Sequence, residues 1–383
     1  MKKTRLLAGV VLLAGIMLSV TGCRDKTYKL ALVTDVGKIN DKSFNQGAWE
    51  GMEKYAKDKK MSYQYYQPKS QTTADYVDSA KVAIENGAEV VVTPGFLFEN
   101  AIWQLQTEHP DVKFILLDGS PHNVVEWDKE TGEPSVTLDD GEANFDIKDN
   151  VYSIFYAEEE AGFYAGYAAV KEGFRKLGYM GGMAVPAVVR FGIGYIQGAK
   201  YAAEELELAD GAVTMTYTYL GDFQPGDGHQ AKAASWYGTG TEVIFAAAGG
   251  AGTSVMKAAE EKVQEGKKAW VIGVDVDQRG ISETVLSSAV KGLGTSVYQT
   301  LEKIYRDGEK GGTSVILDST VDGVGLPAKS EKDFDRFENF TKADYDAVYA
   351  LVKAGTVHVD NEKEGLKEDY VAIGGAKVLV TVL

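Results

Sequence analysis

Short apolar runs alternate with helix-length segments from residue 30 onward, and this alternation constrains the fold more than any other feature of the chain. Leu30 to Thr34 precedes Phe44 to Lys59, Tyr63 to Tyr66 precedes Ala74 to Asn86, and Glu89 to Thr93 precedes Phe98 to His109. Lys113 to Leu117 follows, its Phe-Ile-Leu-Leu core apolar on consecutive positions, as a strand covered on both faces requires. Parallel strands need crossover connections, and helical crossovers cover the sheet, so this order predicts a parallel α/β sheet with helices on both sides.

A second series repeats the pattern. After an acidic, turn-rich stretch from Val124 to Asn150, read as a solvated loop, a helix is expected at Glu158 to Lys171, where Phe163, Tyr167 and Val170 recur at helical spacing and read as core. Strands at Gly178 to Val185, Val213 to Tyr219, Val243 to Ala247 and Trp270 to Val274 then alternate with helices at Gly194 to Leu206, Gly228 to Trp236 and Ser254 to Gln264. Two such units predict the type I periplasmic-binding-protein architecture, two Rossmann-like domains with a ligand cleft between them that closes by hinge motion. Chain crossings are expected near Tyr156, Asp275 and Thr313. They put residues 29–156 plus 276–312 in an N-terminal lobe and 157–275 plus 313–383 in a C-terminal lobe.

The N-terminus carries an address. Lys2, Lys3 and Arg5 precede an uncharged apolar run from Leu6 to Val20 that ends in Thr21-Gly22-Cys23, the layout of a secretory signal peptide. The run falls short of the ~20 apolar residues of a comfortable membrane span. Cys23 is the single cysteine of the chain, and its position resembles a bacterial lipobox. That resemblance implies cleavage after residue 22 and acylation of Cys23, so that lipid chains hold the domain on the extracytoplasmic face of the cell membrane. Residues 23–28 then form a short tether. Cleavage removes three positive charges, taking the formal net charge from −16 for the whole chain to −19. An acidic chain without clustered Lys and Arg argues against a nucleic-acid partner. The 361 remaining residues exceed the ~250–300 at which a single core stops growing.

Ligands of open parallel sheets sit beyond the carboxyl ends of the strands. Those positions here read Asp35-Val36-Gly37, Pro94-Gly95-Phe96 and Asp118-Gly119-Ser120 in the first unit, and Gly221-Asp222-Phe223, Ala248-Gly249-Gly250 and Asp275-Val276-Asp277 in the second. Each Asp or Gly alone is explained by capping or turning. Together they offer paired acceptors for hydroxyl and N–H groups and backbone that approaches a ligand closely. Phe44 and Phe223 lie beyond strand ends in opposite units, so a flat ring could stack between them; a helix-start core role for Phe44 competes with that reading.

Several blocks resemble the basic membrane protein family, whose best-understood members are PnrA-like purine nucleoside receptors. They are Thr34-Asp35-Val36-Gly37, Asn40 to Gln46, Trp49-Glu50-Gly51, Ala161 to Tyr167, Arg190-Phe191-Gly192, Val243 to Gly250 and Ile272 to Gln278. The resemblance implies a two-domain receptor, expected as a monomer, that delivers a purine nucleoside to the permease and ATPase subunits of an ABC importer. It implies Phe44 and Phe223 as the stacking pair, Asp35 and Asp118 facing the base or its surroundings, and Asp275 accepting from ribose hydroxyls. Gly249 supplies backbone contact beside the sugar, and Lys291, within Leu286 to Lys291, is the ribose-side lysine.

An enzyme such as a nucleoside hydrolase needs a nucleophile, a metal cluster or a tuned acid–base pair. His109, His122, His229 and His358 are scattered without ligand spacing, and neither G-x-S-x-G nor the phosphate-cradling G-x-x-x-x-G-K-[ST] occurs. No cofactor or metal is expected, and binding is favoured over catalysis. A sugar or another small metabolite on the same fold remains the alternative ligand, and an adhesive lipoprotein a further one.

Overall fold

The structure, a computed structural model, describes residues 27–35, 37–127, 134–139, 141–361 and 365–383. The signal-peptide and Cys23 expectations lie outside the described residues.

The chain runs β1 (Leu30–Val33), α1 (Phe44–Lys59), β2 (Tyr63–Tyr66), α2 (Thr73–Glu85), β3 (Val90–Pro94), α3 (Glu99–Glu108), β4 (Lys113–Leu117), a hairpin of β5 (Val124–Trp127) and β6 (Pro134–Thr137), then β7 (Val151–Tyr156). It continues with α4 (Glu158–Glu172), β8 (Lys176–Gly181), α5 (Pro186–Glu205), β9 (Val213–Tyr219), α6 (Asp227–Gly238), β10 (Val243–Phe245), α7 (Gly252–Gln264) and β11 (Trp270–Asp275). Last come β12 (Val285–Lys291), α8 (Leu293–Glu302), β13 (Thr313–Leu317), β14 (Val324–Gly325), α9 (Lys342–Lys353), α10 (Lys367–Gly374) and β15 (Val378–Val382).

Among the described residues, the first lobe holds a sheet ordered β13-β7-β4-β3-β1-β2, and the second a sheet ordered β14-β12-β11-β10-β8-β9-β15. All these pairings are parallel except β12 with β14. Full burial of the apolar residues of β1, β3 and β4 follows from helices lying on both faces.

Two of the expected crossings are corrected. Val285–Lys291, expected in the first lobe, forms β12 beside β11 in the second sheet, so the chain crosses after Lys291 rather than at Asp275. Thr313–Leu317, expected in the second lobe, forms β13 beside β7 in the first. Lobe membership is decided by pairing, and an apolar run carries no label for which sheet it joins.

α5 starts at Pro186 rather than at Gly194. Proline suits the first helical position, where its missing N–H is not needed. The acidic stretch, expected as a loop, contains the β5–β6 hairpin. The α4–α5 crossing explains Gly162 and Gly166 of α4 and Gly194 and Gly198 of α5. A Cβ at Gly194 would lie 1.9 Å from the Glu159 carbonyl oxygen, and one at Gly162 would lie 2.1 Å from that of Phe191. Bare backbone lets the helices touch, and that contact brings the start of α5 beside the start of α4.

Candidate functional site

Among the described residues, three segments link the lobes, one between β7 and α4, one between β12 and α8, and one following β13. Between the lobes lies a cavity walled by residues of both sheets' strand ends and of the α5 N-terminus. All seven residues singled out as ligand candidates line it: Asp35, Phe44 and Asp118 from the first lobe, and Phe223, Gly249, Asp275 and Lys291 from the second.

The carboxylates are held by local geometry. Asp118 and Asp275 each directly follow or end a buried strand with φ of 54° and 67°, the left-handed region that Asp tolerates better than most residues. Asp35 Oδ1 accepts from the Gly37 N–H at 2.7 Å and from Asn45 Nδ2 at 2.8 Å, while its own N–H donates to Asn45 Oδ1. The Asn45 amide also donates to Asp41. One helix-start amide therefore fixes two acids in the β1–α1 loop. Burial pushes the Asp35 carboxyl up to about 6, against hydrogen bonds that pull it down.

Lys291 is the centre of charge. Its side chain is 2% exposed, with Nζ 2.5 Å from Asp118 Oδ2 and 2.8 Å from Glu158 Oε1. Asp275 Oδ1 is 3.9 Å away. The rings of Phe44, Phe191 and Tyr156 flank the ammonium at 4.9, 5.3 and 5.4 Å. Burial opposes the charge, but the three carboxylates outweigh it and hold Lys291 protonated. Arg190 Nε, 2.7 Å from Glu158 Oε2, joins the cluster through α5. Burial pushes Glu158 up, yet Lys291 and Arg190 together hold it below the ordinary carboxylate value. Asp118 goes the other way: burial, helped by the Glu158 charge, pushes it up to about 7 despite Lys291. Its Oδ1 is buried without a partner, an acceptor left over on the cavity wall.

The aromatic residues come one from each lobe. Phe44 is the first residue of α1, and Phe223 follows β9. A Cβ at Gly182 would lie 2.3 Å from the Phe223 ring, so that glycine makes the seat for the ring. The N-terminus of α5 supplies Val185, Pro186, Ala187, Val188 and Phe191 to the wall, so the chamber combines apolar and acidic lining.

Glu158, Arg190, Asn45 and Phe191 were not placed at the site from sequence, although the last three lie in the family-like blocks. Glu158 had a usable signal, since it stands two residues past the end of β7, but the aromatic periodicity of α4 drew the reading to core packing. Phe191 and Arg190 owe their positions to the early start of α5.

Residues 28–356 match the family described as Bmp, ABC transporter substrate-binding protein PnrA-like. A relative from Lactococcus lactis subsp. cremoris, named ABC transporter nucleoside-binding protein BmpA, is 32% identical over 284 residues, covering 71% of this chain and 72% of that protein. Basic membrane protein B of Borreliella burgdorferi is 28% identical over 278 residues, 70% of this chain and 72% of its own. A solved ABC transporter solute-binding protein from Aeropyrum pernix K1 superposes with a TM-score of 0.66 at 22% identity, covering 90% of this chain and 91% of that one, which shows a shared fold. Matched over most of its length and folded around an interlobe chamber, the chain belongs to the PnrA-like family of ABC transporter substrate-binding proteins, which bind solutes rather than transform them.

Proposed function

We propose that this substrate-binding protein takes purine nucleosides into the interlobe cavity and hands them to the permease of an ABC importer, as a monomer held at the membrane by lipid on Cys23. The observation that carries the ligand assignment is the pairing of one phenylalanine from each lobe with carboxylates at the strand ends of both sheets. A heteroaromatic base gains from aromatic faces. The ribose hydroxyls and base N–H groups are donors, and Asp35, Asp118 and Asp275 are acceptors. In this reading Asp118 Oδ1 waits for a donor on the base, Asp275 and Lys291 serve the ribose, and Gly249 lets backbone come close to the sugar. The nucleoside-binding name of the Lactococcus relative supports the same assignment. Membrane association rests on the lipobox-like Cys23; among the described residues no helix is long and apolar enough to cross a membrane.

Calorimetric titration of the chain from residue 27 onward with guanosine, inosine, adenosine, cytidine, uridine and ribose tests the ligand. Saturable binding of purine nucleosides, with ribose silent, is expected. Binding of ribose alone, or of pyrimidine nucleosides in preference, would replace the assignment with another solute on the same fold.

A further inference from the structure

Gln278, in the connection between β11 and β12, is 1% exposed and does not line the cavity. Its Oε1 accepts from the Val274 N–H at 3.1 Å, and its own backbone N–H donates to Ser288 Oγ at 3.0 Å, so both anchors lie in the second lobe. Its Nε2 points the other way and donates to the Lys42 carbonyl of the first lobe at 2.8 Å. Lys42 sits in the loop before α1 with φ of 63°, a left-handed conformation uncommon for lysine. A second bond crosses the lobes nearby, from Ser43 Oγ to Asp275 Oδ2 at 2.5 Å. Asp275 faces the cavity, so an incoming donor competes for its oxygens. Neither Gln278 nor Lys42 is among the residues that line the cavity.

We propose that Gln278 is a ligand-independent latch, a positioning residue whose bond to Lys42 holds the lobes closed whatever solute lies between them. The inference rests on the chain being a cleft-closing binding protein. When the lobes part, the amide loses Lys42 to water while its two anchors stay in place. The bond therefore adds to the closed population and to no solute contact, and apparent affinity scales with that population equally for every ligand.

Gln278→Glu separates the two halves of the side chain. One carboxylate oxygen still accepts from Val274, but the other faces the Lys42 carbonyl and has no proton to give near pH 8. The expected result is roughly tenfold weaker binding of every nucleoside the wild type binds, with their relative order unchanged. Below about pH 5 the protonated acid donates again, and the ratio of wild-type to variant affinity falls toward one. Gln278→Asn, a methylene shorter, loses affinity by a similar factor at both pH values. A fluorophore pair on the two lobes reads the closed fraction without solute, lower in both variants. Wild-type titration judges the nucleoside assignment separately, because the fluorophore pair reads the latch even if no nucleoside binds. Unchanged affinity and closure in both variants, a loss confined to one ligand, or a Gln278→Glu loss that persists at pH 5 would overturn the latch.

Discussion

Replacing Lys291 by Met keeps the length of the side chain and removes its charge from among Asp118, Glu158 and Asp275. Two of those carboxylates approach Nζ within 2.5 and 2.8 Å in a nearly solvent-free position. Breaking a buried ion pair by deleting one partner costs about 3–5 kcal/mol, because the remaining charge has no compensation. For a chain of this size that corresponds to a melting temperature lower by roughly 4–7 °C. The sign of the pH dependence is fixed by the same geometry. Lys291 lowers the proton affinity of Asp118 and Glu158 in the fold, so without it the folded variant binds more protons than the wild type near neutrality. Stability then declines more steeply with rising pH in the variant, by up to about 1.4 kcal/mol per pH unit for each carboxylate that titrates. The deficit should be largest at pH 8 and shrink toward pH 5, as read from urea unfolding of ligand-free protein across that range. A variant as stable as the wild type at pH 8, or a deficit of the same size at both ends, would refute the account of Lys291 as the ion that neutralises the cavity wall.

Two further outcomes follow from the cavity wall. Phe223→Ala should weaken purine nucleoside binding roughly ten- to hundredfold, from the ~1–3 kcal/mol of base–aromatic stacking, while the melting temperature of the empty protein changes little, because the ring is only half-buried; calorimetry with guanosine checks it, and unchanged affinity would remove the ring from the site. Burial raises Asp35 to about 6 and Asp118 and Glu159 to about 7 in the fold, above their unfolded values, so the stability these groups lend is present below about pH 4 and lost as pH rises through 6 to 7. Asp35→Asn should flatten the lower part of that decline in denaturant titrations of the empty protein, and a profile identical to the wild type would contradict the raised Asp35.

Much of the cavity was legible because parallel sheets bring the carboxyl ends of their strands to one edge, so Asp35, Asp118, Phe223, Gly249 and Asp275 could be found by counting to the end of each apolar run. Lys291 needed the family likeness, since as the last residue of β12 it reads as an ordinary strand terminus. Arg190 and Phe191, although part of a family-like block, were not placed at the site, because they reach it through the first turns of α5, which begins at Pro186, ahead of the helix expected from Gly194. The exchange of β12 and β13 between lobes was hidden for another reason. Val-Leu-Ser-Ser-Ala-Val-Lys and Thr-Ser-Val-Ile-Leu are equally acceptable to either sheet, and only the partner strand tells them apart.

The weaving of the chain between lobes also decides the order in which the molecule can be completed. The first sheet takes β1 to β4 and β7 from the first 156 residues, but its outer strand β13 ends at Leu317, and α8, which packs on α1 through Gly294 against Gly51, starts at Leu293. Neither lobe is thus a contiguous stretch of chain. During synthesis the first sheet lacks an edge strand and a covering helix until the chain has been made as far as Leu317. Contacts so distant in sequence carry a loop-closure cost that slows folding, and slow completion keeps a nascent chain open for longer to anything that must handle it unfolded.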